Sequence, residues 1–303
     1  MSFVGGVGYS NIDLIYSGLE RLPEKGEEIF ARGFSMQFGG GIPATMINLS
    51  RLGVESRILT FAGDDLFSEF VKKTLEKYPV KTVNLYRGDK MPVVLSSTLL
   101  YGGDRSFISY TDGMDLNDAV MDEVYENLKG VSVVDMHVGF LDVYKRLKKD
   151  GCIQIFDTGW EDDLTLEKYR DYLETADYYI PNQKEALKFT GTYSVEDAAE
   201  VLSEFFSDVT IKMDKEGCLL KNKDGIKIIP SVQNVKAIDA TGAGDAFMSG
   251  FIYGLYHHYP IEQCIKFGNV TGSACVQGMG CISNFVNEEQ LLEIAEKLEV
   301  REL

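Results

Sequence analysis

Short apolar runs alternate with amphipathic helical stretches along most of the chain. Four runs have the length and composition of strands: residues 131–139, 153–159, 177–182 and 208–213. Helical patterns separate them, for example over residues 195–206. This alternation is typical of a parallel sheet with helices on its faces, so we predict an α/β fold. Ligands bind such sheets at the carboxyl ends of the strands, and motifs that directly follow strands therefore carry the most functional weight.

Two regions lack this alternation. Residues 93–110 form two strand-like runs joined through Gly102, Gly103 and Asp104, which indicates a hairpin. Residues 28–38 also read as extended chain and have no helical face. We therefore predict a small antiparallel sheet inserted in the core domain. No linker rich in proline or serine and no internal repeat marks an independent second domain.

Composition and charge narrow the class of partner. The 303 residues are 45% hydrophobic and 25% charged, which is typical of globular proteins with a substantial core. Acidic residues outnumber basic ones by 47 to 30, for a net charge of -17. A surface of that sign repels nucleic-acid phosphates and anionic lipids, so a small-molecule partner fits better. No run approaches 18 uncharged apolar residues, so no membrane-spanning segment is expected.

The cysteines and the N-terminus point to a reducing compartment. The chain has five cysteines and no C-x-x-C pair, which argues against a disulfide framework and a zinc site. Residues 1–13 contain neither a basic nor a sustained apolar region of a secretory signal. We therefore expect a cytoplasmic protein. The three histidines lack partners at metal-ligand spacing and are expected to pack or to cap helices.

The chemistry is most concentrated in "AIDATGAGDAF", residues 237–247. Gly242 and Gly244 allow a tight turn that brings successive N–H groups close to a ligand. A helix is predicted to begin around Gly244 or Asp245 and to end before Pro260, and its N-terminus adds partial positive charge. The segment therefore predicts an anion hole in which Asp245 could accept a proton from a hydroxyl nucleophile. A G-x-G-D string on its own is more often a simple helix cap and turn than an anion hole.

The longer string from Asp239 to Asp245 is more specific. It resembles the C-terminal signature D-T-x-G-A-G-D of the PfkB (ribokinase-like) carbohydrate kinases, with Ala240 in place of the first threonine. Three further segments match family motifs in the family's order: residues 38–53, 61–67 and 180–191. Four ordered motifs over nearly the whole chain are far more specific than one short match.

The resemblance implies a fold and an activity. The implied fold is a ribokinase-like three-layer α/β core with a mostly parallel sheet and a small β-sheet lid. It would form a single catalytic domain over residues 1–303, with lid strands from about 12–38 and 83–111. The implied activity is transfer of the γ-phosphoryl group of ATP, with Mg²⁺, to a hydroxyl of a sugar-like acceptor. Because polar and apolar side chains alternate in the lid strands, we also expect the lid to close over the acceptor. Its apolar face would be covered either by pairing between two subunits of a homodimer or by packing on its own core in a monomer.

The resemblance also implies roles for individual residues. Asp245 is similar to the family's general base, and the amides of Gly242, Ala243 and Gly244 to its anion hole. The residues implied on the acceptor side are Asp13, Gly39, Gly40, Gly41 and Phe107. Those implied for ATP and Mg²⁺ are Asn182 and Glu185 of the N-x-x-E motif, Lys212, Gly217 and Asn269. A site for a monovalent cation such as K⁺ is implied at Asp239, Thr241, Cys275, Gly278 and Gly280.

Two positions depart from the family pattern. Ala44 stands where the first signature usually has asparagine, so one expected hydrogen bond to the sugar is missing. Asp214 stands where the hairpin on the ATP side usually has glycine, which bears on the nucleotide contacts of Lys212 and Gly217. These changes leave the fold and phosphoryl transfer in place, but they do not identify the substrate.

Other functional classes fit less well. A Rossmann dehydrogenase would use residues 6–11, but Asn11 replaces the third glycine and a strand-like run follows where a helix is required. A P-loop kinase needs a Gly-Lys dipeptide, which the chain lacks. A non-catalytic sensor on the same fold would most simply have lost Asp245.

The acceptor of such a kinase could be a neutral sugar, a nucleoside or a sugar phosphate. A phosphorylated acceptor needs grouped lysine or arginine at the lid. The candidates are Arg87, Lys90 and Arg105, and such charges on a hairpin are commonly solvated. We therefore predict a neutral sugar or sugar derivative.

Overall fold

The computed structural model describes residues 2–102, 104–159 and 161–302, and the side chains of Asp104 and Arg105 are outside that description. The predicted turn residue Gly103 and the side chain of Arg105, a candidate lid cation, therefore lie outside the described residues.

Strands and helices alternate along the chain. The strands are β1 (Val4–Val7), β2 (Asn11–Leu19), β3 (Gly33–Gly39), β4 (Ser56–Thr60), β5 (Lys81–Asn84), β6 (Val94–Tyr101), β7 (Asp104–Tyr110), β8 (Val133–Met136), β9 (Ile153–Phe156), β10 (Tyr178–Tyr179), β11 (Val209–Lys212), β12 (Cys218–Asn222), β13 (Gly225–Ile229) and β14 (Arg301–Glu302). The helices are α1 (Gly41–Arg51), α2 (Leu66–Leu75), α3 (Asp118–Leu128), α4 (Leu141–Lys149), α5 (Leu166–Thr175), α6 (Gln183–Thr190), α7 (Val195–Leu202), α8 (Ala243–Tyr256), α9 (Ile261–Cys275) and α10 (Glu288–Glu296). Among these described helices, none combines the length and the apolarity needed to cross a membrane.

The core is a parallel sheet between two helix layers. Its strand order is β10-β9-β8-β1-β4-β5, and every neighbouring pair is parallel. Successive residues of one strand enter different hydrophobic clusters: Ile58 packs in the cluster that contains α1, α8 and α9, and Leu59 in the cluster that contains α3, α4 and α5. Strands that are buried on both faces read as unbroken apolar runs, which explains the pattern in the sequence. The predicted three-layer α/β architecture is confirmed.

The predicted strands are present but shorter than the runs that indicated them. The run 131–139 contains β8, and the run 177–182 contains only the two residues of β10. The chain beyond each strand turns away from the sheet into loops. Asn182 still forms a parallel bridge with Lys212 at the end of β11. This bridge joins the antiparallel sheet β11-β12-β13-β14 to the core sheet.

The lid is a separate four-stranded sheet in the order β3-β2-β6-β7. The β6–β7 hairpin is antiparallel, as predicted, but β2 pairs with β6 in parallel, so the lid is mixed and the prediction of an antiparallel sheet was wrong. Between β3 and β6 the chain returns to the core, and it enters β6 in the same direction as β2. Residues 83 and 84, predicted as lid, belong to core strand β5.

Strand β2 also excludes the dinucleotide-binding alternative. The residues after the glycines of β1 form a nine-residue strand, Asn11–Leu19, where that motif requires a helix.

Candidate active site

The loop before α8 has the backbone of an anion hole. Helix α8 begins at Ala243, and Gly242 at its N-cap has a φ of 77°. A Cβ added to Gly242 would lie 2.1 Å from Cβ of Cys281, so no larger residue fits. The helix ends at Tyr256, before Pro260 as predicted. The amides of the first turn therefore point out of the helix N-terminus, where they attract an anion.

The acceptor-side residues meet Asp245 at the start of α1. Gly40 is the N-cap of α1. A Cβ added to Gly41 would lie 3.2 Å from Oδ1 of Asp245, and one added to Gly39 would lie 2.8 Å from Oδ2 of Asp13. Asp13 and Asp245 are also close enough for the charge of Asp13 to raise the pKa of Asp245. The structure therefore brings the predicted acceptor residues Asp13, Gly39 and Gly41 beside the predicted base.

Phe107 lies on the same face of the lid as Asp13. Asp13 is opposite Ser96 on β6, and Phe107 on β7 is opposite Thr98, two residues further along β6. Side chains two residues apart in a strand share a face. The neighbouring Ile108 therefore points to the other face. Phe107 is 51% exposed.

Burial places the titration of Asp245 near neutral pH. Loss of solvent raises the pKa of Asp245 to about 7, the charges of Asp157 and Asp13 act in the same direction, and the charge of Lys212 opposes them. A general base works best when its pKa lies near the operating pH. Asp245 therefore combines the position and the pKa of a base.

Lys212 lies at the centre of this acidic group. Its Nζ is 3.1 Å from Oδ2 of Asp157 and 3.5 Å from the position of a Cβ on Gly244. Burial alone would lower the pKa of Lys212, but Asp157, Glu185 and Asp245 outweigh it and raise the pKa. Lys212 is therefore a positive charge beside the glycine loop, and its contact with the nucleotide remains a prediction.

The N-x-x-E motif forms the start of α6. Oδ1 of Asn182 accepts from the amide of Glu185 at 3.0 Å, and Oε2 of Glu185 accepts from the amide of Asn182 at 2.8 Å. This is a capping box. Burial and the charge of Asp157 raise the pKa of Glu185, while Lys212 and Asn182 lower it. The capping box fixes a carboxylate next to Lys212, and carboxylate oxygen is the ligand type that Mg²⁺ prefers.

Asn269, a predicted nucleotide contact, lies between α9 and the antiparallel sheet. Asn269 is buried, and its amide group donates to the carbonyls of Ile229 and Pro230 while its Oδ1 accepts from Sγ of Cys218. With donors and acceptor all engaged, the side chain ties α9 to the antiparallel sheet. The assignment of Asn269 to the nucleotide site remains a prediction.

The backbone geometry of the turn between β11 and β12 explains why Asp214 and Gly217 occur there. Asp214 has a φ of 49°, a conformation that glycine adopts freely and that aspartate tolerates better than most residues. A Cβ on Gly217 would lie 2.1 Å from the carbonyl oxygen of Ile229. Aspartate therefore keeps the turn that glycine usually makes, and Gly217 is required by its close contact with β13.

The predicted cation-site residues form one cluster behind the anion loop. Oδ1 of Asp239 accepts from the amide of Thr241, and Oδ2 accepts from the amide of Gly280, both at 2.9 Å. The amide of Gly278 donates to the carbonyl of Cys275 at 3.0 Å, and Sγ of Cys275 lies 3.6 Å from the carbonyl oxygen of Thr241. Carbonyl oxygens beside a carboxylate match the hard oxygen ligands that K⁺ prefers.

Ala44 does not face the site. Its side chain is fully buried in the hydrophobic cluster around α1. The next residue, Thr45, reaches the active-site helix, since its Oγ1 donates to the backbone carbonyl of Asp245 at 3.2 Å. The absence of asparagine at position 44 therefore does not help to identify the acceptor.

Two groups near the site were given no catalytic role by the sequence. Asp157 follows β9 directly, and a rule that weights acids at the carboxyl ends of strands would have found it. Asp135, at the end of β8, carries the same signal.

His137 was expected to pack, and its ring does lie against those of Tyr9 and Phe140. Burial lowers the pKa of His137, so it is neutral at pH 7.

Comparison with known proteins gives the family. The family model described as pfkB family carbohydrate kinase matches residues 1–288. Ribokinase of Lactococcus lactis subsp. lactis is 22% identical over 100% of this chain and 99% of its own. Deoxyribokinase of Salmonella typhi is 25% identical over 95% and 96%.

Solved structures show the same fold. Ribokinase of Thermotoga maritima superposes with a TM-score of 0.81 at 24% identity, over 97% of this chain and 99% of its own. Ribokinase of Arabidopsis thaliana, solved with ribose and ATP, gives a TM-score of 0.80 at 22% identity, over 97% and 98%. Together with the match over residues 1–288, which includes the glycine loop and Asp245, this shows that the chain belongs to the pfkB family of carbohydrate kinases.

Proposed function

We propose that this kinase transfers the γ-phosphoryl group of ATP to a hydroxyl of a neutral sugar or sugar derivative, with Asp245 as the general base. The observation that carries the proposal is the position of Asp245. Its carboxyl is partly buried at the N-terminus of α8 and lies against Gly41, with Asp13 nearby. A hydroxyl held by Asp13 would then lie between the base and the anion hole.

The proposed reaction balances as an in-line displacement. Asp245 takes the proton of the acceptor hydroxyl, and the hydroxyl oxygen forms a bond to the γ-phosphorus. The bond from that phosphorus to the bridging oxygen breaks, and ADP leaves with its electron pair. The amides of Gly242, Ala243 and Gly244 would stabilise the charge on the transferring group, with the ammonium of Lys212 beside them.

Glu185 and Asn182 are proposed to hold Mg²⁺, directly or through water. Glu185 is buried and fixed by its capping box, which suits an ion that binds through one or two carboxylates and the phosphates of ATP. Bound Mg²⁺ would neutralise phosphate charge. The protein itself contributes a fixed carboxylate and the neighbouring Lys212.

The described charges support a neutral acceptor. Arg87, one candidate for binding a phosphorylated acceptor, is engaged by Glu123 at 2.9 Å. Lys90 is exposed in the segment before β6. Along the lid face that carries Asp13, the register instead places Gln37, Ser96 and Ser109, which suit neutral hydroxyls. ADP release across a panel of pentoses, hexoses, sugar acids, aminated sugars, nucleosides and sugar phosphates tests the proposal, and a preference for phosphorylated acceptors would contradict it.

Asp245→Asn should lower kcat by about 10² to 10⁴, the usual contribution of a general base, and leave ATP affinity nearly unchanged. Asparagine keeps the shape but cannot accept the proton. Steady-state kinetics and calorimetric titration of ATP measure the two effects. Asp224→Asn, in an exposed turn, is the matched control. Wild-type turnover in Asp245→Asn would show that another group is the base.

The pH profile should report the ionisation of Asp245. Because the base must be charged, kcat/KM should rise with pH through the pKa of about 7 and fall below it. Lys212→Met should move the midpoint to higher pH, because the positive charge of Lys212 lowers the pKa of Asp245. Lys221→Met, which removes a lysine paired with Glu200, is the control and should not move it. An unshifted midpoint in Lys212→Met would contradict the assignment.

A monovalent cation is proposed at the cluster around Asp239. An ion there would support the loop from behind through Asp239 and Thr241. We expect turnover to be higher in K⁺ than in tetramethylammonium salts of equal ionic strength, because the larger ion cannot enter. Equal turnover in the two salts would remove the ion from the proposal.

The outer face of the lid is proposed to pair with a second copy of the chain. By register this face carries apolar side chains on all four strands, among them Tyr16, Phe34, Met36, Leu99 and Ile108. Phe34 is 62% exposed and Ile108 69%. Contiguous apolar surface of this kind marks interaction sites, and twofold dimers are the commonest assembly.

Ile108→Asp should convert a dimer into a monomer, because it places a charge in the proposed interface. Phe107→Asp is the matched control, since its side chain points to the acceptor face and should leave the dimer intact. Light scattering measures the mass of each. A monomeric wild type, or an Ile108→Asp variant that stays dimeric, would rule out this interface.

A further inference from the structure

Asp157, the first residue after β9, is an acid to which the proposed mechanism gives no task. Its Oδ2 accepts a hydrogen bond from Nζ of Lys212 at 3.1 Å, and its Oδ1 accepts from the amide of Gly159 at 3.1 Å. The next side chain, Thr158, has its hydroxyl 3.1 Å from that of Tyr179 on β10. These contacts fix the segment after β9 and direct one carboxylate oxygen to Lys212.

Lys212 is the last residue of β11 and cannot easily leave this position. Its amide donates to the carbonyl of Pro181 at 2.9 Å, and its backbone forms the bridge with Asn182. The side chain of Lys212 is 14% exposed and that of Asp157 is 26% exposed. A charge so far removed from water is costly unless it is paired and hydrogen-bonded. Lys212 therefore needs an anionic partner.

The ammonium of Lys212 lies beside the first turn of α8. Its Nζ is 3.5 Å from the position of a Cβ on Gly244 and 5.9 Å from the centroid of the Phe247 ring. Residues three apart share one face of a helix, so Nζ lies beside the face that carries these two residues. Asp245 stands between them in the chain, and the charges of Lys212 and Asp245 each shift the pKa of the other. The ammonium is therefore close to the proposed base.

Even so, the ion pair of Lys212 is with Asp157. Among the ion pairs of the described residues, Lys212 forms one with Asp157 and none with Asp245 or Glu185. A carboxylate paired directly with an ammonium is a weaker base, because the positive charge stabilises its ionised form. Such a pair would also direct an oxygen of Asp245 to Lys212 instead of the acceptor hydroxyl.

We propose that Asp157 is a positioning residue, whose carboxylate holds the ammonium of Lys212 beside the first turn of α8 and away from Asp245. The proposal rests on the proposed function, in which Asp245 is the base and Lys212 stabilises the transferring group. One positive charge can then offset charge on the phosphoryl group, while the base keeps its oxygens for the acceptor. Asp157 acts only through Lys212.

Asp157→Asn tests the pairing with little change of shape, since its side-chain oxygen can still accept from the amide of Gly159. Without the carboxylate, we expect the ammonium of Lys212 to turn to Asp245. The value of kcat should fall about tenfold, a factor that small displacements of catalytic groups can produce. The KM for the acceptor should stay near its wild-type value, because Asp13 is unchanged. Asp162→Asn, at an exposed position in the same connection between β9 and α5, is the control.

A double variant shows whether Asp157 acts through Lys212. Lys212→Met removes the ammonium and should lower kcat by itself. In that background Asp157→Asn should lower kcat no further, because no ammonium is left to position. Losses that multiply would overturn the proposal, since they would show a separate role for Asp157. Thermal unfolding of each variant separates loss of fold from loss of position.

Crystal structures of the wild type and of Asp157→Asn locate the ammonium without reference to activity. Nζ of Lys212 should lie at hydrogen-bond distance from Asp157 in the wild type and from Asp245 in the variant. An Nζ that stays in place in Asp157→Asn, or a wild-type kcat in that variant, would also overturn the proposal. If Asp157→Asn does not fold, comparison of the double variant with Lys212→Met decides the question.

Failure of this proposal can be told apart from failure of the proposed function. The position of Nζ in the two crystal structures does not depend on which residue is the base. Turnover of Asp245→Asn, in contrast, tests the base alone.

Discussion

The constraint on which the site depends is the cost of keeping negative charge out of water. The charge of Asp157 raises the pKa of both Asp245 and Glu185, and the ammonium of Lys212 lowers both. Without that offset the carboxyl of Asp245 would stay protonated at neutral pH. The same balance leaves the site ready for an anionic nucleotide, because the positive end of α8 and Lys212 both face the anion hole.

Close packing of the backbone around Gly242 fixes the position of the anion loop relative to these charges. Gly242 lies against Cys281, whose Sγ reaches the carbonyl of Phe38 at 3.1 Å, and Asp239 holds Thr241 and Gly280. The anion loop is therefore bound to both the lid strand β3 and the segment after α9. A loop held at several points costs little reorganisation when charge develops, which is how preorganised sites stabilise a transition state.

Much of the core fold and of the loop before α8 could be predicted from the sequence, because the patterns that indicate them lie within short segments. The glycine spacing before Asp245 gave the loop and the helix start to within two residues, and the apolar runs gave the parallel core. The parallel pairing of β2 with β6 could not be predicted, because it joins distant parts of the chain. Asp157 and Asp135 carry the same signal, an acid after an apolar run, yet Asp157 pairs with Lys212 whereas Asp135 is almost fully buried. The sequence does not show this difference, because it depends on which elements pack beside each strand.

The mixed pairing of the lid also has a consequence for how the molecule folds. Asn11 pairs with Val94, and the chain between them includes α1, β4, α2 and β5 of the core. Closing so long a loop is entropically costly unless the intervening segment has already become compact. The lid should therefore form only after α1, β4, α2 and β5 have packed together. The sheet that carries Asp13 thus depends on the core for its assembly, although its first strand is synthesised before most of that core.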